Sequence, residues 1–191
     1  MNEALDSSEK DYSVQLSFAR HNFDNLQSLI RASDTKAAAF MTLVLFLAGT
    51  AIPLIKDAMP RLHAHPLGQL VVTLAYLLTI TSFVLCFTRV VALLYATVRP
   101  RGARFYKSPD KSTDLMWQDH VLRHEDSAAY FEALRNSSAE IVLRNLTDQI
   151  FELAHISKEK MDSLRDSRKT LWAGFWLWLI MAAMGLFLAR H

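Results

Sequence analysis

His120 and His124 are four residues apart, and Glu125 adjoins the second. On a helix that spacing puts two imidazoles on one face, which is how many zinc sites begin. No HExxH pattern and no further clustered ligand accompanies them, so they read as surface histidines and no metal is expected. Arg99, Arg101, Arg104 and Lys107 form a basic cluster with Phe105 and Tyr106 inside it. Guanidinium forks suit phosphate oxygens, and a ring beside them suits a base, so these four are candidate nucleotide-phosphate contacts. The same charges also fit anionic headgroups and the bias that orients membrane proteins. GxSxG, Walker-loop and CxxC signatures are missing, so the chain is not read as an enzyme and no cofactor is expected.

Two further sets carry polar chemistry in apolar surroundings. Asp34 and Lys36 stand just before a long charge-free run. One reading is a charged boundary that stops a helix sliding into lipid. The other is a polar contact, with another helix or a ligand, that couples what precedes the run to the run itself. Two residues apart, they point to different sides of a helix and should not pair with each other. Gln69, Thr73, Tyr76, Thr79, Ser82 and Cys86 recur at steps of three or four. Thr73, Tyr76, Thr79 and Ser82 are candidate pore-lining residues in an oligomer, or ordinary hydrogen bonders between helices.

The elements that must position these groups follow from where charge is absent. Ala37 to Ile55, Leu67 to Thr88 and Leu171 to Ala189 contain no Asp, Glu, Lys or Arg. Crossing the hydrocarbon takes about 20 apolar residues as a helix, and lipid leaves backbone groups no other partner. The chain is 51% hydrophobic yet 21% charged, which fits only if the charges are segregated away from the spans. The expected fold is all-α, three transmembrane helices with a cytoplasmic helical bundle. Residues 1–36 form an N-terminal helix and 37–98 a two-helix hairpin with spans at about 37–55 and 67–88. Residues 99–170 form a loop and helices, and 171–191 the third span with a short tail. The first run lies too far from the N-terminus for a cleavable signal peptide. Lys56 and Arg61 are the basic residues of the short loop and Arg190 that of the tail; the rest of the 21 lie in the arm and the middle segment. Positive flanks stay inside, so a multi-pass inner-membrane protein with a cytoplasmic N-terminus and periplasmic C-terminus is expected.

Apolar residues in the arm fall at Tyr12, Leu16, Ala19, Phe23, Leu26 and Ile30, one stripe of a helix. It should pack on other cytoplasmic helices or on its copy in a neighbouring subunit. Pro and Gly between Arg99 and Pro109 predict a loop, followed by a helix over 112–133. Ser137 with Glu140 reads as a capping box. A long helix then follows with a stripe at Leu143, Leu146, Ile150, Leu153, Ser157, Met161 and Leu164, continuing into the third span. Three mostly apolar spans cannot enclose a channel alone, so a homo-oligomer is expected.

Two of these segments carry a resemblance. Ile30-Arg31-Ala32-Ser33-Asp34-Thr35-Lys36-Ala37-Ala38 is similar to the "ADxKA" motif preceding the first span in the membrane effectors of bacterial Pycsar anti-phage systems. Ser33 stands where that motif has alanine. Tyr130-Phe131, Leu134-Arg135, Glu140-Ile141, Leu146, Gln149-Ile150, Leu153-Ala154, Ile156 and Lys160 resemble the family's "QI..LA.I…K" helix ahead of the last span. A sister group of two-span effectors shares the leading motif but usually lacks the third span. The resemblance implies a partner cyclase that makes cUMP or cCMP on infection. It also implies an effector that senses the nucleotide, damages the inner membrane and stops growth by abortive infection. The competing expectation is a small oligomeric membrane channel or scaffold not gated by nucleotide. Neither reading involves nucleic acid as a partner.

Overall fold

The computed structural model describes residues 2–62, 70–99, 115–116 and 118–190. They form α1 (Asn2–Leu62), α2 (Leu70–Val98), α3 (Gln118–Val121), α4 (Ser127–Arg135) and α5 (Ala139–Arg190), with no strand among the described residues. The all-α expectation holds, and α1, α2 and α5 are long and apolar enough to cross a bilayer. The chain divides into two compact units. One takes residues 1–31 and 100–158, the other 32–99 and 159–191, so α1 and α5 each contribute to both.

In the second unit three helices share one seam. Buried residues on α1 fall at Ser33, Ala37, Val44, Leu47 and Ala51, and on α2 at Tyr76, Phe83, Val90, Leu94 and Thr97. On α5 they fall at Lys160, Leu164, Ser167, Gly174 and Met181. Steps of three, four or seven keep one face inward on each helix. Leu47, Ala51, Tyr76, Phe83 and Met181 form one cluster, and Ala37, Val44, Val90, Leu94 and Leu164 the other. Ala37 and Ala51 contribute little bulk, which lets backbones approach where lipid offers no hydrophobic drive to association. The pairings set direction: α2 returns against α1, with Tyr76 donating its hydroxyl to the Leu54 carbonyl at 3.3 Å, while α5 runs alongside α1.

α1 extends beyond the expected span. The sequence ends the first span at Ile55, whereas the helix continues to Leu62 through Pro53 and Pro60. Proline removes one hydrogen bond rather than the whole helix, and Lys56, Ala58 and Met59 are good helix formers. Pro53 has no N–H for the carbonyl of Gly49, four residues back on the exposed side of the helix.

The first unit corrects two sequence expectations. The single helix over 112–133 is broken among its described residues, since α3 stops at Val121 and α4 starts at Ser127. Asp126 causes the restart: its extended backbone and a carboxylate accepting from the Ala129 N–H at 2.7 Å make it an N-cap. The cap of α5 is also one residue later than predicted. Ser138 accepts from the Ile141 N–H, while the Ser137 hydroxyl donates back to the Ala133 carbonyl. The arm stripe holds: Ala19 is buried and Tyr12, Leu16, Phe23, Leu26 and Ile30 are half-buried. Val14, Gln15, Phe18, Ala19 and Asn22 share a groove with Leu143, Thr147 and Ile150, so the arm packs along the start of α5.

Leu115 is held at both ends of its residue. Its N–H donates to Asn145 Oδ1 at 3.0 Å, and its carbonyl accepts from the Tyr130 hydroxyl at 3.1 Å. Asn145 completes itself by donating to the Ile141 carbonyl at 2.9 Å. Truncating a partner of a buried N–H costs about 1–3 kcal/mol. Asn145→Ala is therefore expected to lower thermal stability by that amount in detergent, measured by the loss of helical circular dichroism. At the α2–α5 contact, a Cβ on Gly174 would meet the Cβ of Cys86 at 3.8 Å, ordinary contact. Gly174→Ala is expected to be tolerated, and Gly174→Leu to cost about 1–3 kcal/mol in the same melt by forcing the helices apart.

Candidate functional site at the membrane boundary

The polar groups of the second unit concentrate where α1 and α5 approach their charge-free runs. Lys160 Nζ lies 2.5 Å from Asp34 Oδ1. The lysine side chain is 7% exposed and the aspartate 39%. One turn of α1 places Ser33 beside Asp34 and Ala37 next on the same buried face. The Ser33 hydroxyl donates to Met161 Sδ at 3.5 Å. Small side chains at 33 and 37 let α5 come close enough for the ion pair. A larger residue at 33 would separate the lysine from its counter-charge. The interaction joins positions 126 residues apart in the chain.

Lys36 faces elsewhere. It is exposed, and with Phe40 it lines an open groove of about 570 Å³ whose other walls are Met161, Asp162, Leu164, Arg165 and Arg168 of α5. Arg165 pairs with Asp162 one turn before it. Asp34 and Lys36, singled out together by their position, thus belong to different surroundings, one bonded to α5 and the other lining a cationic groove.

The sequence motifs that meet in this geometry belong to a known family. A family model described as the Pycsar effector protein domain, PycTM, matches residues 18–189. The chain belongs to the Pycsar effector family. Searches of curated proteins and of solved structures found no match. Family membership together with three bilayer-length helices makes this a membrane protein with a Pycsar anti-phage effector role. The Asp34–Lys160 pair joins the two segments that carried the resemblance, one before each of the outer spans.

The other candidates that lie among the described residues do not join this pair. Arg99 is exposed just beyond α2, its N–H bonded to the Tyr95 carbonyl at 2.9 Å. Arg101, Arg104 and Lys107 lie outside the described residues. On α2, Tyr76 is fully buried within the single chain, and the Thr79 hydroxyl bonds to the Ala75 carbonyl at 2.8 Å. Thr73 and Ser82 are half-buried. His120 is not a surface residue: it is buried on α3. His124 follows the end of that helix and packs its ring on Tyr130 at 5.3 Å, so no shared helix face presents the two imidazoles. Among the described residues no group of His, Cys, Asp and Glu is arranged to hold a metal.

The sequence stripe along α5 also shifts. Met161 is 48% exposed, while Asn145, Gln149, Glu152 and Lys160 are buried. Apolar spacing alone selected Met161; the aspartate across the contact brings Lys160 inward instead. Lys160 was visible in the sequence as the last position of the family-like segment, but its partner was not.

An exposed ion pair contributes about 0–1 kcal/mol, and losing one partner of a buried pair costs about 3–5 kcal/mol. With one partner buried and one half-exposed, this bridge falls between. Asp34→Ala is expected to destabilise the protein by about 2 kcal/mol, Lys36→Ala by less than about 0.5 kcal/mol. A thermal-melt cycle of Asp34→Ala, Lys160→Met and the double variant should give a coupling of about 1–3 kcal/mol. Strict additivity would remove the bridge from the account.

Proposed function

We propose that this chain is the membrane effector of a Pycsar system, activated by a cyclic pyrimidine nucleotide, cUMP or cCMP, supplied by a partner cyclase. Activation impairs the inner membrane and aborts infection. The protein acts as a homo-oligomer, without catalysis of its own and without a cofactor. Its N-terminus and its middle segment face the cytoplasm and its C-terminus the periplasm. The observation that carries this reading is the family match across residues 18–189, with three bilayer-length helices in support.

Magnitudes constrain how such gating works. Moving a protein from about 1% to 99% active requires a ligand that binds the active state about 10⁴-fold more tightly, or about 5.5 kcal/mol. A single exposed charge contact supplies at most about 1 kcal/mol. The nucleotide must therefore meet several groups, and Arg99, Arg101, Arg104 and Lys107 are offered as phosphate contacts. The basic segment leads in sequence to Leu115, which is itself bonded to Asn145 and Tyr130. The Asp34–Lys160 bridge is the coupling element, since it bonds α1 just before its charge-free run to α5 about three turns before the run from Leu171.

Dye uptake by expressing cells, with and without cUMP or cCMP, tests the reading. Uptake is expected to rise with one nucleotide and to stay at background without it. Uptake independent of both nucleotides would favour the ungated channel or scaffold. Asp34→Ala, inserted in the membrane at normal levels, is expected to lose most of the nucleotide-dependent uptake. Retention of the full response would leave the bridge structural only.

A further inference from the structure

The cationic groove beside Lys36 does not end at its charges. Phe40 and Arg168 also line a second cavity of about 300 Å³, walled otherwise by Leu43, Leu171, Trp172 and Phe175. The two spaces share residues, so a charged vestibule opens into an apolar slot. Depth follows from the sequence. Lys36 immediately precedes the charge-free run from Ala37, and Arg168 stands three residues before the run from Leu171. The charges therefore lie at headgroup level and the slot at the level of acyl chains. Trp172 is exposed at that boundary, where indole rings gather.

The charges are also available. Asp162 is the carboxylate among the lining residues, and it is already paired with Arg165. Among the described residues neither Lys36 nor Arg168 has a carboxylate partner. Two cations with spare donors beside a dry slot call for a ligand that is phosphate at one end and hydrocarbon at the other.

We infer that this groove binds one anionic phospholipid, its phosphate on Lys36 and Arg168 and an acyl chain along Leu43, Leu171 and Phe175. A choline headgroup would bring a third cation beside the two, so a zwitterionic lipid fits poorly. A soluble nucleotide would satisfy the charges and leave the slot unfilled. The inference needs only the membrane location, and stands whether or not nucleotide gates the protein.

Native mass spectrometry of the full chain in detergent, titrated with phosphatidylglycerol or with phosphatidylcholine of the same acyl chains, tests it. One phosphatidylglycerol per chain is expected at concentrations that give no bound phosphatidylcholine. Each cation near a lipid surface contributes enough that Lys36→Ala/Arg168→Ala should weaken phosphatidylglycerol binding about thirtyfold. Leu43→Trp, at a half-exposed position, fills the slot without touching the charges and should also weaken binding. Equal binding of the two lipids, or phosphatidylglycerol binding unchanged in both variants, would overturn the inference. So would displacement by glycerol 3-phosphate or cUMP at concentrations matching the lipid, which would make this a site for free phosphate esters.

Discussion

Hydrocarbon cannot hydrogen-bond, and this one constraint organises the spans. Each hydroxyl there needs a partner within the protein. Thr42, Thr50, Thr79, Thr81, Thr88 and Thr97 all donate to the carbonyl four residues back on their own helix. Ser167 and Thr170 do the same on α5. These groups are satisfied before any helix meets another, so they add little to association. What joins the helices is shape, provided by small residues at the seam, and a few long-range polar links: Tyr76 to Leu54, Ser33 to Met161 and Lys160 to Asp34. The seam buries little of each helix. No more than 17% of the residues in the most apolar stretches are enclosed, which leaves most of the surface to lipid or to neighbouring copies.

Much of this was legible in the chain. Missing charge located the membrane helices, because the cost of an ion in hydrocarbon excludes it whatever the fold. Spacing of three and four located the inward face of the arm, because helix geometry fixes which residues share a side. Those signals are local. The burial of Lys160 is not, since a charged residue goes inside only when a partner compensates it, and here a distant segment supplies it. Asp34 and Lys160 illustrate the limit: each could be marked from sequence, but nothing in either neighbourhood specifies the other. The restart at Asp126 and the cap at Ser138 were missed for a different reason. Runs such as His124-Glu125-Asp126-Ser127 and Asn136-Ser137-Ser138 offer several competent caps, and packing chooses among them.

Two kinds of electrostatics coexist at the membrane boundary. Lys160 is neutralised internally and so ties α5 to α1. Among the described residues Lys36 and Arg168 have no carboxylate partner, and both are exposed. About half a turn of α1 separates the two roles, with Asp34 on one side and Lys36 on the other. Lys169 and Arg165, each paired with an aspartate one turn earlier, moderate the charge on the same stretch of α5.

Pro53 leaves a smaller mark with its own consequence. By lacking an N–H it strands the Gly49 carbonyl on a lipid-facing stretch of α1, at a residue with no side chain to shield it. Pro60 does the same to the Lys56 carbonyl, but beyond the charge-free run. Water straying into the bilayer finds an acceptor at the stranded Gly49 carbonyl, so thinning of the leaflet would be felt at Gly49.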